Sequence, residues 1–232
     1  MPDLRLSRHD LVWLTQDVRA ATSVTACGRT QPQACEILAA WTASGRPVVV
    51  TRQPDDLAAG ALRVGLPLSP AEGKQRLSFD VPVGNILRAE SPPPLDAVSG
   101  SLPETWQATL HALLASPAIV AAEPRVFGSV AMFATTGLAY LTDESDLDLL
   151  LAPRSWAAAL AVLGELSEID ACSRRPRIDG ELVDPAGRAV AWRELAMDSR
   201  QVLVKSLAHV GLLERSHVQR GYAEARIPRI AP

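Results

Sequence analysis

With 232 residues, 47% of them hydrophobic and 21% charged, the chain is long and apolar enough to bury one large core or two modest ones, which excludes intrinsic disorder. Lysines and arginines number 23 against 26 acids. The net charge of −3 gives no overall basic field for duplex nucleic acid or an anionic membrane, so an anionic ligand has to be caught locally.

The opening stretch carries Asp3, Arg5, Arg8 and Asp10 where a signal peptide needs an apolar core, and no segment reaches transmembrane length. The chain is therefore expected in the cytoplasm, without membrane or nucleic-acid partners. Three cysteines, Cys27, Cys35 and Cys172, are too few for a disulfide framework and lack metal-finger spacing, and they read as reduced and structural. Ala34, Ile37, Leu38 and Trp41 recur at helical spacing within residues 33–42, and Pro47 to Thr51 is a short β-branched strand signal. The run from Arg63 to Pro70 holds too much glycine and proline for a regular element. At Pro92-Pro93-Pro94 the chain can continue neither a helix nor a central strand, and this is its best linker. Residues 1–90 are thus expected to form a small α/β N-terminal domain, and residues 91–232 a larger second one.

Beyond the prolines, Leu102 to Leu114 reads as a helix with Pro103 and Glu104 favourable at its start. Arg125-Val126-Phe127 reads as a brief strand, Val130 to Thr136 as a helix that Gly137 ends, and Asp146 to Leu151 as a strand that becomes wholly apolar. Ser155 to Leu166 is a further helix, Arg177 to Val183 an alternating strand, and Gln201 to Leu213 a last long helix. The expected class is α+β, with a mixed sheet covered by helices in the second domain.

The chemistry concentrates in Gly128-Ser129 and, sixteen residues further on, Asp146-Leu147-Asp148. On a strand, residues two apart share a face, so both carboxylates project together while Leu147 and Leu149 enter the core. Two like charges so close call for a cation between them, and hard oxygen donors with open positions suit Mg²⁺. Gly128 and Ser129 lie between a strand and a helix, where a missing Cβ, a hydroxyl and a helix start can receive phosphate. Asp179 and Glu181, again two apart, are candidates for a third carboxylate. Asp179 is favoured because Ile178 and Gly180 leave room beside it, and Glu181 is the alternative.

Residues 172–232 hold ten arginines and one lysine against seven acids, so the other 171 residues carry 12 basic against 19 acidic side chains. Lys205, on the expected last helix, is a candidate to turn toward the site. Arg174, Arg175, Arg177, Lys74 and Arg76 are phosphate candidates. The four histidines, His9, His111, His209 and His217, show no metal spacing.

Gly-Ser, a helix, then Asp-x-Asp on a strand with a later acid resembles the active-site pattern of the DNA polymerase β-like nucleotidyltransferase superfamily, although the gap here is longer than in its minimal members. Phe127-Gly128-Ser129, Thr136-Gly137-Leu138-Ala139-Tyr140-Leu141 and Ser145-Asp146-Leu147-Asp148-Leu149-Leu150 are similar to the malonate decarboxylase holo-acyl-carrier-protein synthase family, the phosphoribosyl-dephospho-CoA transferases. Arg8-His9-Asp10-Leu11, Val64-Gly65-Leu66-Pro67-Leu68, Ile178-Asp179-Gly180-Glu181-Leu182, Ala191-Trp192-Arg193-Glu194 and Val202-Leu203-Val204-Lys205 extend the similarity over nearly the whole chain. The resemblance implies a nucleotidyltransferase domain that moves the prosthetic group of triphosphoribosyl-dephospho-CoA onto a serine of the malonate decarboxylase acyl-carrier subunit, releasing pyrophosphate. It implies metal on Asp146 and Asp148, phosphates at Gly128 and Ser129, and Asp179 as third acid. A nucleotidyltransferase for another hydroxyl, or a non-catalytic nucleotide-binding module, are the competing readings.

Overall fold

The computed structural model describes residues 6–18, 21–25, 29–197 and 199–224; Cys27 and the end of the basic tail lie outside them. The chain forms two compact units. One runs through residue 92 and takes in Ala131–Tyr140 and Leu207–His209; the other holds residues 93–130, 141–206 and those from 210 onward.

The first unit is built on β1 (Leu11–Leu14), β2 (Thr22–Thr25), α1 (Gln31–Ala43), β3 (Val48–Val50), β4 (Ala61–Pro67), β5 (Arg76–Pro82) and β6 (Ile86–Glu90). Its six strands run in the order β2-β5-β4-β3-β1-β6, every neighbouring pair antiparallel. Leu62, Val64 and Leu66 of β4 and Leu77, Phe79 and Val81 of β5 alternate into the core, where Leu38 and Trp41 of α1 join them. The irregular run expected from Arg63 to Pro70 is therefore wrong as far as Pro67. Gly65 sits where a Cβ would come within 3.0 Å of Thr51 Cγ2, so the missing side chain permits close strand packing, and Pro67 closes the ladder opposite Arg76.

The second unit comprises α2 (Leu95–Ser99), α3 (Gln107–Ala115), α4 (Pro117–Ala121), β7 (Arg125–Val126), the start of α5 (Gly128–Thr136), β8 (Leu147–Leu151), α6 (Trp156–Cys172), β9 (Ile178–Val183), β10 (Ala189–Ala191), α7 (Trp192–Ala196), β11 (Gln201–Lys205), β12 (Val210–Glu214) and α8 (Arg215–Glu224). The sheet order is β12-β11-β10-β9-β8-β7, with β8 and β9 parallel and the other pairs antiparallel. The expected α+β class and mixed sheet are present. Leu147, Leu149, Leu151, Ile178, Leu182, Val202 and Val204 bury one side of it, and α6 packs against β9, α3 and α4. Ser155 caps α6 by accepting from the Ala158 N–H at 3.1 Å.

The last helix expected over Gln201 to Leu213 is a β-hairpin. Val202 and Val204 are buried while their neighbours are not, and all five residues of β11 pair with β12. β-branched valines at alternate positions suit a pleated, half-buried surface, and that outweighs an apolar spacing which fits either period over so short a run.

Candidate active site

The parallel pair β8 and β9 sets the site. In register, Asp148 stands opposite Asp179, with Leu147 beside Ile178 and Leu149 beside Gly180. Leu147, Leu149 and Leu151 are buried, whereas Asp148 keeps partial exposure on the other side of β8. The strand expected from Asp146 begins at Leu147, and Asp146 lies just ahead of it, also partly exposed. Asp179 lies on that same side.

Gly128 opens α5 at φ 63°, and a Cβ built there would fall 2.3 Å from Asp148 Oδ2. The glycine is needed both for a left-handed backbone and for the space the carboxylate occupies. The Phe127 N–H donates to the Asp148 carbonyl at 3.0 Å, tying the turn to β8. Ser129 follows in the first turn of α5, half-buried.

Gly180 has a different use from the one expected. With φ 148° and a Cβ position 2.2 Å from the Leu149 carbonyl oxygen, it lets β9 lie close against β8. The room it leaves is filled by strand, not by ligand. Its N–H donates to Asp179 Oδ1 at 2.8 Å, which holds that carboxylate against its own strand.

Glu181 is placed apart from the acids. It is 4% exposed, stands opposite Leu150, and its Oε1 lies 2.9 Å from Lys205 Nζ. Lys205 is on β11, not on a helix, and its ammonium is held by this glutamate. The cation beside the acids is Arg177, with Nη1 3.4 Å from Asp146 Oδ2 and Nη2 3.8 Å from Asp179 Oδ2. Arg175 donates to the Asp143 carbonyl.

Sequence reasoning gave no role to a clamp behind Asp179. Arg193 donates to both oxygens of Asp170 at 2.8 Å and, through Nη2, to the Ile178 carbonyl at 2.8 Å, while Trp192 Nε1 donates to that carbonyl at 3.3 Å. The guanidinium stacks 4.4 Å above the Trp192 ring. Its pKa is raised, first by the hydrogen bond to Asp170. An arginine directly after a tryptophan was the available signal; its partner, 23 residues earlier on α6, was not.

Among the described residues no three His, Cys, Asp or Glu side chains form a ready-made metal cluster. The donor chemistry is nevertheless of the kind a divalent cation takes. Asp146, Asp148 and Asp179 are hard oxygen donors on one sheet face, Asp148 is seated in a cradle only glycine leaves open, and Mg²⁺ takes only one or two protein carboxylates, with water and phosphate oxygens for the rest.

Residues 91–216 match the family model described as the phosphoribosyl-dephospho-CoA transferase MdcG C-terminal domain, and residues 7–92 match that of its N-terminal domain. The chain belongs to the phosphoribosyl-dephospho-CoA transferase family. A phosphoribosyl-dephospho-CoA transferase of Xanthomonas campestris pv. campestris (strain 8004) is 43% identical over 209 residues, covering 90% of this chain and 94% of the relative. Relatives of that name from Bradyrhizobium diazoefficiens and Pseudomonas syringae pv. tomato are 34% and 33% identical, the alignments covering 90% and 88% of this chain and 90% of each relative. No solved structure matches the chain. Membership makes this a transferase, as its motifs led one to expect, and no helix among the described residues is long and apolar enough to cross a membrane.

Proposed function

We propose that this transferase moves the phosphoribosyl-dephospho-CoA group of triphosphoribosyl-dephospho-CoA onto a serine of the malonate decarboxylase acyl-carrier subunit in the cytoplasm, releasing pyrophosphate. The observation that carries the reading is Asp148 seated against Gly128 and facing Asp179 across a parallel strand pair, in a chain of this family. The arrangement also suits the DNA polymerase β-like superfamily, in which residues 91–232 would be the nucleotidyltransferase domain and residues 1–90 a domain for the carrier or the CoA arm.

In this reading the serine oxygen attacks the α-phosphorus in line, the bond to the bridging oxygen of the β-phosphate breaks, and pyrophosphate departs. Asp179 takes the serine proton. Gly128 and Ser129 receive phosphate oxygens at the start of α5. Lys205, on the same sheet face, is bound to Glu181 and would reach a phosphate only by exchanging that partner. Asp146, Asp148 and Asp179 would share the holding of Mg²⁺, one or two of them at any ion, and the metal would supply charge neutralisation at the triphosphate.

The test is to incubate the purified protein with triphosphoribosyl-dephospho-CoA, Mg²⁺ and the apo carrier subunit, then weigh the carrier. Its mass should rise by one prosthetic group. Asp148→Asn should cut the rate at least a hundredfold, as loss of a charged group acting in the transition state does, with circular dichroism unchanged. An unmodified carrier beside a working positive control overturns the assignment, and transfer to some other hydroxyl would favour a nucleotidyltransferase of different acceptor.

A further inference from the structure

We infer that Arg177 is a counter-cation built into the carboxylate face, one that leaves the acids when the donor arrives and then grips its phosphates. The inference rests on the metal and triphosphate reading above.

The register pairs Leu147 with Ile178 and Asp148 with Asp179. Just before the two strands begin, the Leu147 N–H donates to the Arg177 carbonyl and the Arg177 guanidinium reaches Asp146. Three carboxylates and one guanidinium thus occupy adjoining positions on one sheet face, with a formal charge of −2. That is the charge a single divalent cation cancels, and it would repel a bare triphosphate. Arg177 holds Asp146 and Asp179 only loosely. Its contacts of 3.4 and 3.8 Å exceed the 2.7–2.9 Å of a charge-assisted hydrogen bond, and its side chain is 59% exposed. Exposed pairs of this kind are weak and cheap to break.

The other arginines around β9 behave differently. Arg193 is locked by Asp170 and the Ile178 carbonyl, and Arg175, exposed, donates to the Asp143 carbonyl. Of these three, Arg177 alone makes side-chain contact with the acids and has its head group loosely held, with its backbone fixed by the Leu147 N–H donating to its carbonyl at 2.9 Å. The Arg193 charge also acts on Asp179 and Asp146, but from a guanidinium fixed on Asp170. A divalent cation entering among the carboxylates would repel the guanidinium, whose planar fork matches phosphate oxygens. The donor supplies those oxygens beside it. The side chain need only rotate about an anchored strand to exchange one anion for another.

The experiment measures Mn²⁺ binding to the full chain without donor, by the electron paramagnetic resonance of free Mn²⁺, alongside steady-state kinetics with triphosphoribosyl-dephospho-CoA. Arg177→Gln should bind Mn²⁺ about tenfold more tightly than the natural protein, the effect of removing one unit charge about 6 Å from a divalent cation in a water-like medium. The same variant should raise KM for the donor about tenfold while changing kcat less, through loss of a charge-assisted contact. Arg177→Lys, which keeps the charge, should restore the natural Mn²⁺ affinity and recover part of the KM. Tighter cation binding is a gain that misfolding does not produce. Unchanged or weaker Mn²⁺ binding by Arg177→Gln, or an unchanged donor KM, overturns the inference. Asp148→Asn separates this from the site reading: natural Mn²⁺ binding and natural turnover in that variant would remove the metal site itself.

Discussion

A single hydrogen atom at Gly128 decides whether the Asp148 carboxylate can occupy its place. Alanine there would put a methyl 2.3 Å from Oδ2 and force a side-chain-bearing residue into φ 63°. The backbone alone costs about 1–2 kcal/mol. Gly128→Ala should lower stability by about that amount in urea denaturation. If Asp148 acts as proposed, displacing it by about an ångström should reduce transfer about a hundredfold, as misplacing a reacting group does. Full activity in a folded Gly128→Ala protein would show that the carboxylate position is not critical. The residue types at the site were legible in the sequence: Asp146, Asp148 and Asp179 lie on the side of the sheet that the alternation with leucine and isoleucine implied. The loose contact of Arg177 with two of them was not, because a side chain's partner across a strand pair depends on register, which no single strand's sequence states.

Pairing between elements also separates Glu181 from Asp179, two candidates that sequence spacing alone leaves equivalent. Asp179 faces Asp148, while Glu181 is buried and bound to Lys205, which β11 brings to it from 24 residues away. Removing one member of such a pair leaves a buried charge uncompensated, whereas removing both does not. Lys205→Met should therefore destabilise the protein by about 2–3 kcal/mol, the lower side of the usual range because Lys205 keeps 30% exposure, and Lys205→Met with Glu181→Leu should recover most of the loss. Chemical denaturation of the three proteins measures this, and additive losses would remove the coupling. This contact exists only because residues 201–214 form a hairpin. Their leucines and valines fit a helical period nearly as well, and the choice fell to the pairing of β11 with β10, which offers more burial than an isolated amphipathic helix. β1 carries no strand signal for a related reason: all four of its residues are buried, so its sequence shows no alternation.

Each compact unit holds one of the chain's two tyrosines. Tyr140 donates to the Pro67 carbonyl at 2.6 Å in the first, and Tyr222 lies with its ring 5.8 Å from that of Trp156 in the second. Burial pushes both hydroxyls well above their ordinary range near pH 10. A group whose folded pKa is raised contributes stability fully below its unfolded pKa, and that contribution is lost as pH rises through and beyond it. Phenolate absorbance at 295 nm should accordingly stay low past pH 10 and rise only together with the loss of circular dichroism. Reversible ionisation of either tyrosine near pH 10 in a still-folded protein would contradict the burial. What the amino-acid sequence determined by itself was local: the acids and glycine of the proposed site, the strand that carries Asp148, the proline break and a family resemblance spread over most of the chain. Tertiary structure decided which acid faces which, where Lys205 and Arg177 spend their charge, and whether an ambiguous apolar run became helix or sheet. Strand pairing and burial are long-range, and their free energy depends on partners that a local pattern does not name.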